Sequence, residues 1–508
     1  MTERSRLSGY DVGLPVVSEE QVIAMSKQPS EVQAYPFYVA CEARSVDDRI
    51  AVRNKYTGEA FATVPRAGAV EVEEAIASAD RAFAVLRNLA DYERAGILRR
   101  IAERLQAESD SFAVALAMEV GKPISAARAE VTRAVDTFTV ASEEATRIGG
   151  ETLPLEISER GAGYEAIIKR FPIGPCAFIT PFNFPLNLAA HKIAPALAVG
   201  CPFVMKPAMN TPVSSMMLGA ILASLDLPEG TFSILPVGHE EAEPLITDDR
   251  IRKLSFTGSP PVGWSMKSRA GRKRVTLELG GNAACIVDEG ADVGTVVDRI
   301  VLGAFGQAGQ SCISVQRVLV HESVIDELRA RLVDRTQALQ VGDPLDEGTF
   351  VGPLISTDDV QRVHEWVNEA MEQGATALCG GSPVNERCYP PTILEGAPHD
   401  AKANCEEVFG PVLTLQAFAD FESALAVADD SRFGLQAGVF TNDLHRVHRA
   451  FERLEVGGVI INDIPSMRVD NMPYGGVKES GFGREGVRFA IEEMTERRLL
   501  VLNWNVPG

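Results

Sequence analysis

CAFIT (176–180), PFVMKP (202–207), FSILPV (232–237), KLSFTG (253–258) and TLELGG (276–281) are short apolar runs spaced along one stretch of about a hundred residues. The segments between them carry helical spacing, with helices expected over Leu186–Leu197 and near Val213–Leu225. Strand–helix alternation of this kind predicts a parallel sheet with helices on both faces.

Working outward, a second alternating region runs from about 285 to 480, with AACIVDE (283–289), VQRVLVH (315–321), LTLQAF (413–418), AGVFTN (437–442) and GGVIIN (457–462) as its strands. Upstream, VEVEEAIASADRAFAVLRNL (70–89) and ERAGILRRIAERLQAESDSFAVALAMEV (93–120) place apolar residues three and four apart, so 70–147 reads as helices. The period changes at 151–171, where ETLPLEI and YEAIIKRF flank Ser158–Gly163 as a two-stranded ribbon. Such a ribbon is poorly stable alone and predicts pairing with another subunit. The expected fold class is therefore α/β, with two parallel-sheet domains and a small β oligomerisation arm. The expected division is a leader at 1–35, a cofactor-binding domain at 36–150 and 172–284, a catalytic domain at 285–485, and oligomerisation segments at 151–171 and 486–508.

Composition narrows the function. The 508 residues exceed one ordinary core, and 45% hydrophobic with 23% charged content is that of a soluble globular chain. A formal charge of −21 argues against nucleic acid and anionic membrane surfaces as partners. The start, MTERSRLSGYDVG, has no apolar stretch long enough for a signal peptide. Ile193–Met205, the most apolar stretch, is broken by Pro195, Gly200 and Pro202 and is too short to span a bilayer. Eight cysteines without CxxC pairs fit a reducing cytoplasm, and no metal site is expected. His445 and His448, three apart in LHRVHRAFERL, read as a solvated helix face.

GQAGQSCIS (306–314) places Cys312 among small residues, where backbone N–H groups can approach a developing oxyanion. Taken alone, a cysteine such as Cys312 is more commonly a buried inert thiol than a nucleophile. ELGGN (278–282) puts Glu278 at a strand end, and ITPFNFP (179–185) puts the amide donor Asn183 at another. A thiol, a carboxylate and an amide are the parts for covalent capture of a carbonyl, although spacing alone does not bring them together.

TPFNFP, KPA, FTGS (256–259), LELGG, GQSC, EEVFGPV (406–412) and MPYGGVKESGFGREG (472–486) occur in the order found in aldehyde dehydrogenases, and over residues 35–505 the chain resembles that superfamily. The resemblance implies NAD(P)-dependent oxidation of an aldehyde through a thiohemiacetal and thioester on Cys312, with Asn183 at the oxyanion and Glu278 activating water. It also implies a cofactor, NAD or NADP, held without GxGxxG by Thr180, Pro181, Phe182, Lys206, Gly258, Ser259, Leu279, Glu407 and Phe409. Met209 stands where many NAD-preferring relatives carry a ribose-binding glutamate, which makes NADP more acceptable. Phe182 replaces a common tryptophan, a change that should leave the chemistry intact.

For the substrate, Asn187 and His191 are four apart and share a helix face, which the resemblance places in the substrate tunnel. Arg468, in a loop before Tyr474, is a candidate for meeting a carboxylate, phosphate or sulfonate at the mouth. These polar groups favour a short 2-hydroxy or anionic aldehyde, and the motif wording is most similar to the lactaldehyde, phosphonoacetaldehyde and sulfolactaldehyde dehydrogenase group. The alternatives are a satisfied core histidine for His191 and a solvated charge for Arg468. At the level of the whole protein they are a CoA-acylating relative, a cofactor-free hydrolase, or a non-catalytic binding or structural relative. The arm and the strand ERRLLVLNWNV (496–506) imply a homodimer or homotetramer, the family's use of such segments being to extend a neighbouring subunit's sheet.

Overall fold

The computed structural model describes residues 32–505, so most of the expected leader and residues 506–508 lie outside the described residues. The five apolar runs from 176 to 281 form the parallel centre of an eight-stranded sheet. Its order is 481–482, Arg274–Glu278, Lys253–Thr257, Cys176–Ile179, Phe203–Lys206, Phe232–Ile234, Phe37–Val39 and Glu42–Arg44. Every residue of Cys176–Ile179, Phe203–Lys206 and Lys253–Thr257 is buried, as expected of strands covered by helices on both faces. The helix Asn187–Val199 is buried at all of its positions and passes through Pro195 before ending at Gly200, so it is a core helix.

The second region forms a seven-stranded sheet in the order Thr376–Cys379, Thr392–Glu395, Val412–Phe418, Val315–His321, Ala283–Val287, Gln436–Phe440 and Gly458–Ile461. All neighbours are parallel except the first pair. The strands at 37–44 and 376–395 are too short and too mixed in polarity to announce themselves by periodicity.

Two features of the C-terminal part are not visible in the expected division. The segment 486–508 is expected as an oligomerisation segment, but its helix Val487–Glu493 puts Val487 and Ile491 into the first core. Just before it, Gly481–Phe482 pairs antiparallel with Leu277–Glu278 of the first sheet, although it falls in the expected catalytic domain. The chain thus returns to the first sheet after building the second, and this return carries 474–485 to the site.

The ribbon gains a third strand. Glu151–Pro154 pairs with Tyr164–Pro172, and Thr495–Asn503 takes the other edge of that strand along its whole length. The C-terminal strand therefore pairs within its own chain on one side, leaving its other edge open. Leu499, Leu500, Val501 and Trp504 remain exposed on this small sheet. Among the described residues, no helix is long and apolar enough to cross a membrane.

Candidate active site

The C-terminal ends of the first sheet open into a cavity of about 1050 Å³. The parallel register explains the convergence: Ile179 lies beside Phe256 and Thr257 beside Glu278, so three strands end side by side at Thr180, Gly258 and Leu279. Cys312 reaches the same cavity from the second domain, three residues before Val315–His321.

Before it, Gln307 and Ala308 both adopt positive φ (53° and 54°), a strained turn of the kind that clusters at functional sites. The ELGGN turn comes equally close. A Cβ on Gly281 would lie 2.0 Å from the Cys312 carbonyl oxygen, so only glycine permits this approach.

Cys312, Asn183 and Glu278 are thereby brought together, as sequence spacing alone could not show. Cys312 is half-buried, and its Sγ lies 3.1 Å from the Tyr474 hydroxyl. Its backbone N–H has no partner among the described residues. Asn183 donates from Nδ2 to the Gln310 carbonyl at 2.9 Å, which leaves the second amide hydrogen free. Glu278 lines the cavity but is only 3% exposed, and both of its carboxyl oxygens are buried with no hydrogen-bond partner among the described residues.

Burial dominates the titration of both reactive groups. It pushes the Cys312 thiol up to about 12 against the opposing pull of the Tyr474 hydroxyl. Burial and the neighbouring Glu485 carboxylate push Glu278 well above the usual carboxylate range, while Arg468 and Lys192 act in the opposite sense. The Cys312 thiol is therefore protonated at neutral pH and burial favours the acid form of Glu278, yet a nucleophilic sulfur and a water-activating carboxylate must each be deprotonated. The rate is accordingly expected to rise with pH from neutrality upward and to fall toward acid, checked by kcat/KM measured across the stable pH range. A flat profile would remove these two groups from the rate-limiting steps.

The residues expected to hold the cofactor line one side of the same cavity. Thr180, Pro181, Phe182, Lys206, Gly258, Ser259, Leu279, Glu407 and Phe409 are all in its wall. Lys206 is 5% exposed and its ammonium donates to no group among the described residues, and Thr180 Oγ1 is buried without a partner. Glu407 accepts from the Gly281 N–H at 2.9 Å, and burial pushes its carboxyl up to about 7. Phe182 and Phe409 meet edge-on at 5.6 Å. Ser259 stands at the N-cap position of the helix Pro260–Arg269 without a side-chain capping bond, and the two leading prolines lack N–H groups, so the Ser259 hydroxyl and the helix dipole are left to face an anion. A partnerless cation, orphaned hydroxyl and helix start along one wall fit a polyhydroxylated, phosphate-bearing group.

The expected substrate residues divide. Asn187, Arg468 and Tyr474 line the cavity, but His191 does not. His191 is fully buried behind Asn187, where its Nε2–H donates to Asp470 Oδ1 at 2.7 Å. Burial and Arg468 push His191 down to about 4, so it stays neutral. The Asn187 amide is engaged as well, donating to Asp470 at 3.2 Å and accepting from Thr137 at 3.3 Å. This polar face thus holds Asp470 in place, and the expectation that His191 lines the tunnel is corrected.

Arg468 is not a solvated charge at the mouth. It is buried, its guanidinium lies 3.7 Å from the Tyr474 ring centroid, and its Nε has no partner. Its nearest carboxylate, Glu485, is 3.5 Å away and is held at 2.7 Å by Lys192. Lys192, Asp470 and Glu485 were not singled out from the sequence. A lysine inside an otherwise apolar helix, directly after His191, was the signal that a buried acid must face it.

A model of the aldehyde dehydrogenase family matches residues 42–500. The chain is 42% identical over 476 residues to 3-sulfolactaldehyde dehydrogenase from Priestia aryabhattai, covering 93% of this chain and 99% of that relative. It is 40% identical to lactaldehyde dehydrogenase from Methanococcus aeolicus, covering 89% of this chain and 97% of the relative. Aldehyde dehydrogenase 21 from Physcomitrella patens, solved in complex with the reaction product succinate, superposes with a TM-score of 0.92 at 45% identity, covering 94% of this chain and 99% of that one. Fold, site geometry and full-length similarity agree, and the chain belongs to the aldehyde dehydrogenase family, whose members oxidise aldehydes with NAD or NADP.

Proposed function

We propose that this protein oxidises a short aldehyde bearing a negative charge at its far end, through covalent capture on Cys312. The carrying observation is Arg468, a buried cation in the cavity wall with an unpartnered Nε and a carboxylate neighbour already committed to Lys192. Arg468 stacks on the same Tyr474 whose hydroxyl touches the Cys312 sulfur, so a molecule of only a few carbons spans the two. Relatives named for 3-sulfolactaldehyde, and a solved relative holding succinate, are in keeping with an anionic substrate.

In this reading the Cys312 thiol gives up its proton to solvent, and its sulfur forms a bond to the aldehyde carbon as the carbonyl π pair moves onto oxygen. The carbonyl oxygen gathers charge between the free Asn183 amide hydrogen and the Cys312 N–H. Each such donor typically lowers the barrier by about 3–4 kcal/mol. A nicotinamide held by Lys206, Ser259 and Glu407 would supply the hydride acceptor. Glu278 then takes a proton from water, the water oxygen bonds to the acyl carbon, and the carbon–sulfur bond breaks to return the thiolate. Glu278 favours hydrolysis over release to CoA. Met209 lines the cavity with no carboxylate to repel a 2′-phosphate, which leaves NADP acceptable beside NAD.

The test is the rate of nicotinamide reduction with NAD and NADP across aliphatic, aromatic, 2-hydroxy and anionic aldehydes. Arg468→Met is expected to raise KM for anionic aldehydes roughly 10- to 100-fold, the loss of one charge-assisted hydrogen bond, with little change for neutral ones. Equal loss on both classes would return Arg468 to a packing role. The open edge and exposed apolar residues of the small sheet support a homodimer or homotetramer, and eight free cysteines support a reducing compartment such as the cytoplasm.

A further inference from the structure

Lys122 and Glu130 form an ion pair with both side chains fully buried, at the start of the helix Ile124–Ala145. Buried pairs of this kind are weak stabilisers, because desolvation offsets their attraction, so stability alone does not account for the pair. The other hydrogen bonds they make point to one. Lys122 Nζ donates at 2.8 Å to the backbone carbonyl of Asn183, which also accepts from Gln307 Nε2. The same ammonium lies 4.1 Å from the Phe184 ring centroid. Glu130 Oε1 accepts the N–H groups of Leu186 at 3.0 Å and Asn187 at 3.1 Å. The pair therefore grips both ends of the segment 183–187 from a separate helix.

We propose that Lys122 and Glu130 are positioning residues that hold the backbone of Asn183 so that its amide meets the substrate oxygen beside Cys312. The proposal rests on the reading of Asn183 as the oxyanion donor. A backbone clamped at residue 183 and again at 186–187 leaves the Asn183 side chain only its own rotamers. Its link to the Gln310 carbonyl then selects among these. Misplacement of a donor by about 1 Å is enough to cost on the order of 100-fold in rate. Neither charge touches substrate or sulfur in this role.

The experiment is a double-mutant cycle on the full-length enzyme. One arm is Lys122→Met with Glu130→Leu, which removes both charges together and leaves neither unpaired. The other arm is Asn183→Ala. Cofactor binding, followed by fluorescence of the reduced nicotinamide, and thermal unfolding are measured alongside kcat and KM. The pair replacement is expected to lower kcat about 100-fold with cofactor affinity unchanged, and to cost less than about twofold more once Asn183 is alanine. A loss that multiplies undiminished in the Asn183→Ala background overturns the positioning role, as does a pair variant with wild-type kcat. Should the double replacement fail to fold, Glu130→Gln keeps an oxygen for the Leu186 and Asn187 N–H groups. It is then expected to give a smaller loss that again vanishes in the Asn183→Ala background, and persistence there would overturn the proposal. If Asn183→Ala alone turns over normally, the reading of Asn183 fails first and the positioning role with it.

Discussion

Cys312→Ala is expected to abolish aldehyde oxidation, lowering kcat by on the order of 10⁴-fold or more, while NAD(P) still binds. Of the eight cysteines, all free, Cys312 alone lines the cavity. In the proposed mechanism its sulfur is the group from which a bond to the substrate carbon forms, and alanine supplies no substitute. The fold should survive: Cys312 is half-buried, and deletion of its sulfur leaves the Tyr474 hydroxyl an opening to the cavity rather than an enclosed void. Turnover by the variant above a few per cent of wild type would exclude a covalent mechanism on this residue. Cofactor titration of the same preparation separates a lost nucleophile from a collapsed site.

Glu278→Gln should separate the two halves of the reaction. Glutamine matches the shape of the protonated acid that burial favours, so the site should remain assembled. It cannot take a proton from water. One equivalent of reduced cofactor per site is expected in a fast burst, followed by a steady rate lower by roughly 10²–10⁴-fold, the usual contribution of a general base. The acyl enzyme that accumulates should be visible by intact mass as an adduct removed by hydroxylamine. A steady rate equal to wild type without a burst would take Glu278 out of deacylation.

Much of the architecture is legible in local pattern. Buried parallel strands read as apolar runs and amphipathic helices as runs of period three to four, so 176–281 and the second sheet declare themselves. Short edge strands such as Phe37–Val39 and Thr376–Cys379 do not, because so few residues cannot establish a period. The return of 481–493 to the first core is also invisible locally. Its strand is two residues long and its partner, Leu277–Glu278, lies about two hundred residues earlier.

Within the candidate site, the residues legible in the sequence are those whose chemistry is unusual for their local setting: a thiol among glycines, an amide and a carboxylate at strand ends. Residues whose meaning lies in a distant partner are not legible in this way. His191 bonds to Asp470 across 279 positions and Lys192 to Glu485 across 293, so nothing near either member reveals the pair.

What the sequence by itself determined is the pair of parallel sheets, the ends at which chemistry can sit, and the candidate thiol, carboxylate and amide, since each follows from periodicity or from a motif contained in a few residues. Only the tertiary structure decided that Arg468 is buried over Tyr474 while His191 is withdrawn behind Asn187. A charge's role depends on which opposite charges reach it and how much water remains around it. Here both were settled by a loop from the far end of the chain closing over the helix that follows Asn183.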